Sequence, residues 1–456
     1  MFSKKTIKIA QLTFAITAIS SLASAQTYLD DYLKTNTPKE NSPFSRLGIG
    51  NYLQQNTIAS ASFGGLTAAF QDASLLNPSN PASYASLRTT AFEVGINAKN
   101  TTITQGSKTA NTWSGNLNYF AIGFPTHSVI NEELDKKPRN VRWGMAFSLR
   151  PYSQIGYLLK TVEAHPKYDT AQIVTNYVGT GSTYKLMWGN AFTTKNFSMG
   201  LNVGYFFGNL GNYRGVGFTG FDPYYYDVSI RDSKISGFVW DIGAQYKLVV
   251  EKPKVDELPK KHIIFGIAGN AATSYNISTN DYFRRIGSVA LDTLVNIEDQ
   301  RTKGKLPAEW TFGAMYEVAH QGNPTAKKLR IGVDYKITIV PTDVNFKNAS
   351  KLAIGIEYLP EATNYKNYFT RIRYRAGFQS YTDPRVWKNT QLGGWNVSGG
   401  FGFPIVLPRE QSYAFFHLGV EYGRLGAGSL IGENYTRFNV GFTFNDNSWF
   451  LKRKFN

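Results

Sequence analysis

The chain contains no cysteine. No disulfide framework can therefore hold it together, and no acylated cysteine can tether it to lipid. Long apolar runs are missing as well: beyond residue 25 nothing approaches the ~20 residues that a membrane helix needs. Charged residues make up only 18% of the chain, against roughly 25% in a typical soluble domain. Histidines number five, and His127, His165, His262, His320 and His417 are scattered without any H-x-x-x-H spacing, so neither a metal nor a cofactor is expected. Of these, only His417 is expected to face inward, beside Tyr413 and Glu421, as an ordinary hydrogen-bonded histidine. The glycine-rich run 208–220 follows no strand-to-helix pattern and is no phosphate cradle. No Ser-His-carboxylate set falls on one strand face, so the chain is read as a non-enzyme.

What is abundant is aromatic and small. Phe (31), Tyr (28) and Gly (42) dominate, with mean hydropathy −0.29. A barrel that is half polar inside averages to such a value. The first 25 residues form a processing segment. Lys4, Lys5 and Lys8 precede an apolar run from Ile9 to Leu22, and Ala23-Ser24-Ala25 has the small-x-small cleavage pattern. The mature chain is expected to begin at Gln26. An uncleaved anchor is disfavoured by the shortness of the run and by Gln11, Thr13 and Thr17 within it. The formal charge is +17, and removing three signal lysines leaves 17 − 3 = +14. An exported chain with scattered cations points to anionic lipid headgroups and lipopolysaccharide as partners, not to nucleic acid.

From Arg88 onward the sequence keeps returning to period two. In 329–339, Leu329, Ile331, Val333, Tyr335 and Ile337 share one face, and Arg330, Gly332, Asp334, Lys336 and Thr338 the other. The segments 352–358 and 436–444 split in the same way. Such alternation is a strand with one apolar and one polar face. A soluble sandwich alternates too. Here, however, the polar face mixes Gly, Asn and ionised groups, and aromatics such as Trp240, Tyr246, Trp310, Tyr316 and Tyr422 gather near strand ends, as in membrane-barrel girdles. The fold class expected is all-β: a transmembrane antiparallel β-barrel of about fourteen strands over residues 88–446.

The stretch 371-RIRYRAGF-378 sharpens this reading. An arginine facing lipid at mid-bilayer costs roughly 2–4 kcal/mol. Arg371, Arg373 and Arg375 are therefore expected to point inward, with Tyr368, Thr370, Ile372, Tyr374, Ala376 and Phe378 outward. Asp334, Lys336, Glu357, Glu421 and Arg437 join them in an expected lumen charge network, read as a solvated and mutually paired set more than as a substrate-selecting ladder.

Fourteen spans are placed near 88–106, 110–125, 141–155, 181–194, 197–215, 234–250, 262–277, 303–319, 329–343, 349–359, 367–382, 392–405, 412–427 and 434–446. An even count puts both barrel ends on one side, expected to be periplasmic. Longer loops are expected opposite, near 156–180, 216–233, 278–302 and 383–391. Residues 26–87 precede the first strand. Of these, 64–87 are too apolar for a linker and are expected to plug the barrel, with a short helix over 66–76. Residues 447–456 form a tail in which Trp449, Phe450 and Leu451, beside Lys452, Arg453 and Lys454, are candidates for binding a periplasmic partner.

The region before the barrel resembles the hatch of the FadL-like family of outer-membrane proteins. Gly48, Gly50 and Gly64-Gly65 match its glycine-rich start, Asp72-Ala73-Ser74 its small-residue stretch, and Asn80-Pro81-Ala82 its Asn-Pro-Ala. The resemblance implies a hatch in a fourteen-strand barrel in the outer membrane, and passive uptake of a hydrophobic small molecule that leaves sideways through the wall. It makes Gly48, Ile49, Gly50, Asn80, Pro81 and Ala82 the candidate ligand residues, although Asn80 and Pro81 equally suit a turn joining plug to barrel. The charged inner faces depart from an apolar tunnel. Some relatives, PorV-like barrels among them, have given up transport and serve as subunits of outer-membrane machines. The alternative function is thus a non-transporting subunit of an assembly or secretion complex, with outer-membrane or periplasmic protein partners.

Overall fold

The computed structural model describes residues 38–127, 140–166, 172–219, 226–251, 261–286, 291–319, 327–341, 345–362, 364, 366–406, 412–428 and 430–446. The signal segment, the leader up to residue 37 and the tail with Trp449, Phe450 and Leu451 lie outside these residues. A two-residue strand, β1 (Asn51–Tyr52), and a short helix, α1 (Ile58–Ser62), precede the barrel. Then follow β2 (Thr90–Gln105), β3 (Lys108–Pro125), β4 (Val141–Ala164), β5 (Gln172–Thr194), β6 (Phe197–Thr219) and β7 (Tyr226–Val249). Next come β8 (Lys261–Asn270), β9 (Thr273–Ile286), β10 (Leu291–Leu306), β11 (Ala308–Ala319), β12 (Lys328–Ile339) and β13 (Ala349–Leu359). The last four are β14 (Arg373–Trp387), β15 (Thr390–Val406), β16 (Ser412–Ala427) and β17 (Ile431–Asp446).

All pairings are antiparallel, most of them between sequential neighbours, and β17 closes on β2 from Asp446↔Thr90 to Gly432↔Thr104. Two long strands are interrupted midway. β8 and β9 pair in succession with β7, and also in succession with β11 and β10. The break at Ala271 lies beside the break at Pro307, which offers no N–H to the ladder. Asn270 Nδ2 spans the discontinuity, donating to the carbonyls of Ala271 (3.0 Å) and Pro307 (3.3 Å). Counting each interrupted pair as one, the wall has fourteen strands.

The outer face is apolar because the alternation requires it. Ile331, Val333 and Tyr335 of β12, Leu352, Ile354 and Ile356 of β13, and Phe438 and Phe442 of β17 are exposed, while Arg330, Asp334, Glu357 and Asn439 are buried inside. Aromatics stack across the outer surface, as in Trp113–Phe438 and Phe147–Trp188. An apolar exterior around a charged interior is the inverse of a soluble protein and fits only a lipid solvent.

The structure corrects the expected strand lengths. Residues 156–164, 172–180, 216–219, 226–233, 278–286 and 291–302 are paired strand rather than loop. Above the bilayer neither face needs to be apolar, so the period-two signal fades although the ladder continues. The longest strands have 23 or 24 residues, β12 and β13 only 12 and 11. At ~3.4 Å per residue and ~40° tilt, the long strands rise about 60 Å and the short ones about 30 Å. The wall is tall on one flank and low on the other.

Two further expectations fail. Residues 66–76 are not helical, and α1 lies earlier, capped by Thr57, whose side chain accepts from Ser60 N. Arg371 does not extend the inward ladder. With Tyr368 and Thr370 it belongs to a 3-10 turn, Tyr368–Arg371, and its guanidinium stacks on the Tyr368 ring at 4.9 Å. Asn367, capping that turn through Phe369 N, ends the alternation before the strand begins. Ile372 is accordingly buried rather than lipid-facing.

Lipid exposure at the middle of β13 yields a test. Ile354→Arg is expected to lower barrel stability by about 2–4 kcal/mol, measured by urea titration of the protein reconstituted in bilayers. Ser350→Arg, at the end of the same outer row, is expected to cost at most about 1 kcal/mol.

Candidate functional site

The site is the filled lumen. The end of the barrel where β2 begins and β17 finishes is here the terminal end, and the opposite one the far end. In the terminal half, residues 56–88 form a hatch. α1 touches β14 to β17, and a 3-10 turn, Pro81–Ser86, touches β3 to β7, so the hatch braces opposite walls.

Each of the fourteen strands contributes an inward glycine at the level of the hatch. Gly95 and Gly441 face Ile58, Gly123 faces Leu76, Gly144 and Gly189 face Tyr84, and Gly200 faces Pro81. Gly243 faces Asn80, Gly266 and Gly313 face Ala68, and Gly332 faces Leu66. Gly355 faces Phe63, Gly377 faces Gly64, and Gly400 and Gly419 face Ser62. A Cβ on Gly200 would lie 2.5 Å from the Pro81 carbonyl carbon, and one on Gly332 2.7 Å from Leu66 Cδ1. Several are cross-strand partners, such as Gly332↔Gly355↔Gly377 and Gly400↔Gly419. The result is a belt without side chains that receives the hatch, its backbone at Gly144, Gly200, Gly266, Gly355 and Gly377 and its side chains at the other nine. On the hatch side Gly64 and Gly65 have φ of +67° and +68°, the left-handed region that turns the chain after α1.

The belt explains the missing helix. The backbone of 64–76 is satisfied by the wall instead of by itself. Asp334 accepts from Thr67 N (2.6 Å) and Ala68 N (2.9 Å), and Glu93 from Leu76 N (2.7 Å). Gln245 donates to the Ala68 and Phe70 carbonyls, Gln379 to Gly64 O and Asn445 to Ser74 O.

Ion pairs lock the same region. Arg330 donates from Nε to Glu317 (2.7 Å) and from Nη1 to both Asp72 (3.0 Å) and Glu357 (2.9 Å), while Nη2 reaches the Gln71 carbonyl (3.2 Å). Glu357 also accepts from Arg375 Nε (2.6 Å), and Asp72 from Arg373 (2.9 Å). Glu317 binds Lys328 (2.8 Å) and His262 (3.0 Å), and Arg375 reaches His417 (3.2 Å). Asp72 is the hatch's contribution. Burial pushes its carboxyl up, but Arg373 and Arg330 outweigh this and hold it well below the usual carboxylate range.

The far half of the lumen is filled by residues 38–55. The seam between β3 and β4 holds only from Phe120↔Leu149 to Pro125↔Gly144. Beyond it the edge of β4 is taken over from inside. Ser42 N donates to Gly156 O, β1 pairs Asn51↔Gln154 and Tyr52↔Ser153, and Leu53 N donates to Tyr152 O. Ile49 and Tyr52 pack with Tyr152, Ile155, Met187, Phe206 and Tyr275. Phe44 seals the far end against Leu392, Ala427 and Ile431. Glu40 meets Lys99 at 2.6 Å, and Ser42 donates to Glu433 at 2.6 Å.

Between the two plugs lies a cavity of about 260 Å³. Thirteen ionisable side chains of Lys, Arg, Asp and Glu line it, among them Arg150, Lys185, Asp241, Glu309, Lys336 and Lys351. Apolar side chains, Tyr152 and Leu53 among them, share the lining.

The residues singled out from the sequence divide. Glu357, Arg373 and Arg375 come together in the terminal-end network. Glu421 pairs with Arg437 at 3.1 Å and also accepts from Gln54 of the plug. Lys336 pairs with Glu309 at 2.9 Å, and Asp334 holds hatch amides. Arg371 stands apart. Asn80 is fully buried: its Oδ1 accepts from Ala82 N (3.1 Å) and its Nδ2 donates to Ala68 O (2.6 Å), with Pro81 opening the turn. Gly48, Ile49 and Gly50 lie in the other plug, and neither triplet lines the chamber. Sequence reasoning missed Arg330, Glu317 and Asp72 as ionic partners. Arg330 had already been assigned to the inner face, and the hatch aspartate was the only signal for the third member.

Comparison with known proteins gives a consistent picture. The sequence matches the BamG family over residues 29–456. Among solved structures, the fold resembles the CymD monoaromatic hydrocarbon channel at 13% identity, over 87% of this chain and 99% of that one, with a TM-score of 0.50. The Pseudomonas putida toluene transporter TodX matches at 12% identity over 87% and 99%, TM-score 0.49. The Ralstonia pickettii toluene transporter TbuX matches at 13% over 86% and 99%, TM-score 0.47. No curated protein sequence matches. The likeness is one of fold: a closed antiparallel β-barrel.

Arg330→Met leaves Glu317, Asp72 and Glu357 short of a counter-charge and is expected to cost about 3–5 kcal/mol, read as lost resistance of the hatch to proteolysis. The pH response has a defined sign. The contribution of Asp72 is complete above its unfolded value near about 3.9 and is lost as pH falls through its lower native value. Hatch protection is expected to hold from neutral pH down to about pH 5, and an early loss in that interval would contradict the assignment.

Proposed function

This chain belongs to the BamG family, and on that premise we propose that it is a permanently plugged, non-conducting barrel that acts as a subunit of a multi-protein outer-membrane assembly or secretion complex. The observation that carries this reading is the glycine belt: every strand gives up a side chain to receive the hatch. A hatch that must move aside for cargo gains nothing from contact with all fourteen strands. Arg330 and Arg373, which clamp Asp72, add a desolvated tie that is costly to break. Thirteen ionisable side chains line the chamber, whereas a conduit for greasy compounds carries only a few polar groups.

In this reading the terminal end faces the periplasm and the tall flank of β4 to β10 rises on the cell surface. Partners are outer-membrane or periplasmic proteins, with Trp449, Phe450 and Leu451 of the tail as a periplasmic contact. Membrane lipid and lipopolysaccharide surround the belt of apolar side chains.

One observation favours uptake of hydrophobic compounds as the second reading. The short β3–β4 seam is a gap through which an apolar molecule could leave sideways, and the fold is that of a hydrocarbon channel. Against it, the space behind the gap is filled by Ile49 and Tyr52.

Two measurements separate the readings. The tagged native barrel, extracted in mild detergent, is expected to bring down the same proteins at fixed stoichiometry. The pure barrel in liposomes is expected to pass neither ions nor toluene faster than empty vesicles. Recovery of the barrel alone together with rapid toluene entry would reverse the assignment.

A further inference from the structure

We propose that the chamber between the two plugs is a binding site for a small free anion of the phosphate type. Cross-strand neighbours on the inner face carry like charge twice over. Arg150 lies directly opposite Lys185 on β4 and β5, and Lys336 directly opposite Lys351 on β12 and β13. Like charges placed so are mutually destabilising, and all four side chains line the same chamber.

Three acids of the lining are engaged elsewhere: Glu40 pairs with Lys99, Asp383 with Arg385, and Glu433 accepts from Ser42. Glu309 is engaged by Lys336 at 2.9 Å, and Asp241 approaches Arg150 only to 3.8 Å. Asp334 is spent on the hatch amides. Lys185 and Lys351 make no ion pair or side-chain hydrogen bond among the described residues. Lys185 is 95% buried, and its ammonium rests on the Tyr152 ring at 4.3 Å. A buried ammonium without an anion is costly, and a dianion in the chamber that all four cations line would offset these repulsions. The volume, about 260 Å³, equals about nine waters, enough for a phosphate with its hydration or with a small organic group attached. Lysines act on such a group as point charges. Direct lipid contact does not explain the site, since the chamber is inside the wall. This inference stands apart from the assembly reading, and either can fail without the other.

The test uses the full mature barrel in non-ionic detergent. Its thermal unfolding is followed while inorganic phosphate replaces chloride at constant ionic strength, and retention of radiolabelled phosphate is measured in parallel. A saturable rise in Tm with one bound phosphate is expected. Lys185→Met and Lys351→Met are each expected to weaken binding by about tenfold or more, whereas Lys303→Met, on the exposed β10, leaves it unchanged. Lys185→Gln, with folding checked by heat-modifiable gel mobility, serves if the Met variant does not fold. A Tm that does not depend on phosphate, or a shift of equal size in wild type and the Lys185 and Lys351 variants, would overturn the proposal and leave the lysines as hydrated lining.

Discussion

The structure depends on one steric constraint: the hatch backbone must lie against the barrel wall at a distance no side chain permits. Five inward glycines, Gly144, Gly200, Gly266, Gly355 and Gly377, meet that constraint, and nine more make room for hatch side chains. With the wall bare at this level, its neighbours above and below must supply the hydrogen bonds that a helix would have made for itself. Asp334, Glu93, Gln245, Gln379 and Asn445 do so. The hatch is irregular because its donors and acceptors are shared outward.

Charge inside the barrel follows the same logic. Arginine and glutamate cannot face lipid, so they face inward, where they lose water and must find each other. Arg330 has three acidic partners and a carbonyl, drawn from two neighbouring strands and the hatch. Such a cluster is weak evidence for stability by itself. Its geometric effect is firmer, because it admits one hatch position only. The far-half plug is built differently, from Ile49, Tyr52 and Phe44 packed on apolar wall residues and from backbone pairing along β4.

Much of this was legible in the sequence. Strict alternation in β12, β13 and β17 located the lipid face residue by residue, because one-sided burial in hydrocarbon leaves an unambiguous period. The strand extensions were not legible, since residues such as 292–301 are exposed all round and carry no apolar face to betray a strand. Arg371 misled because alternation in the letters continued one step past the strand, across a turn fixed by the Asn367 side chain. The glycines were noticed as part of the polar face, but their role was not. What a missing Cβ makes room for becomes visible only when a distant segment is folded against it.

The unequal height of the wall gives the molecule a facing. A cylinder embedded in a membrane would present the same profile to every neighbour, but this one carries a parapet along β4 to β10 and an open sill at β12 and β13. A lateral neighbour can lie over the rim only from the sill side, and on the opposite side it meets a vertical sheet. The barrel is therefore keyed about the bilayer normal, and its rotation becomes a coordinate that anything docking beside it must match.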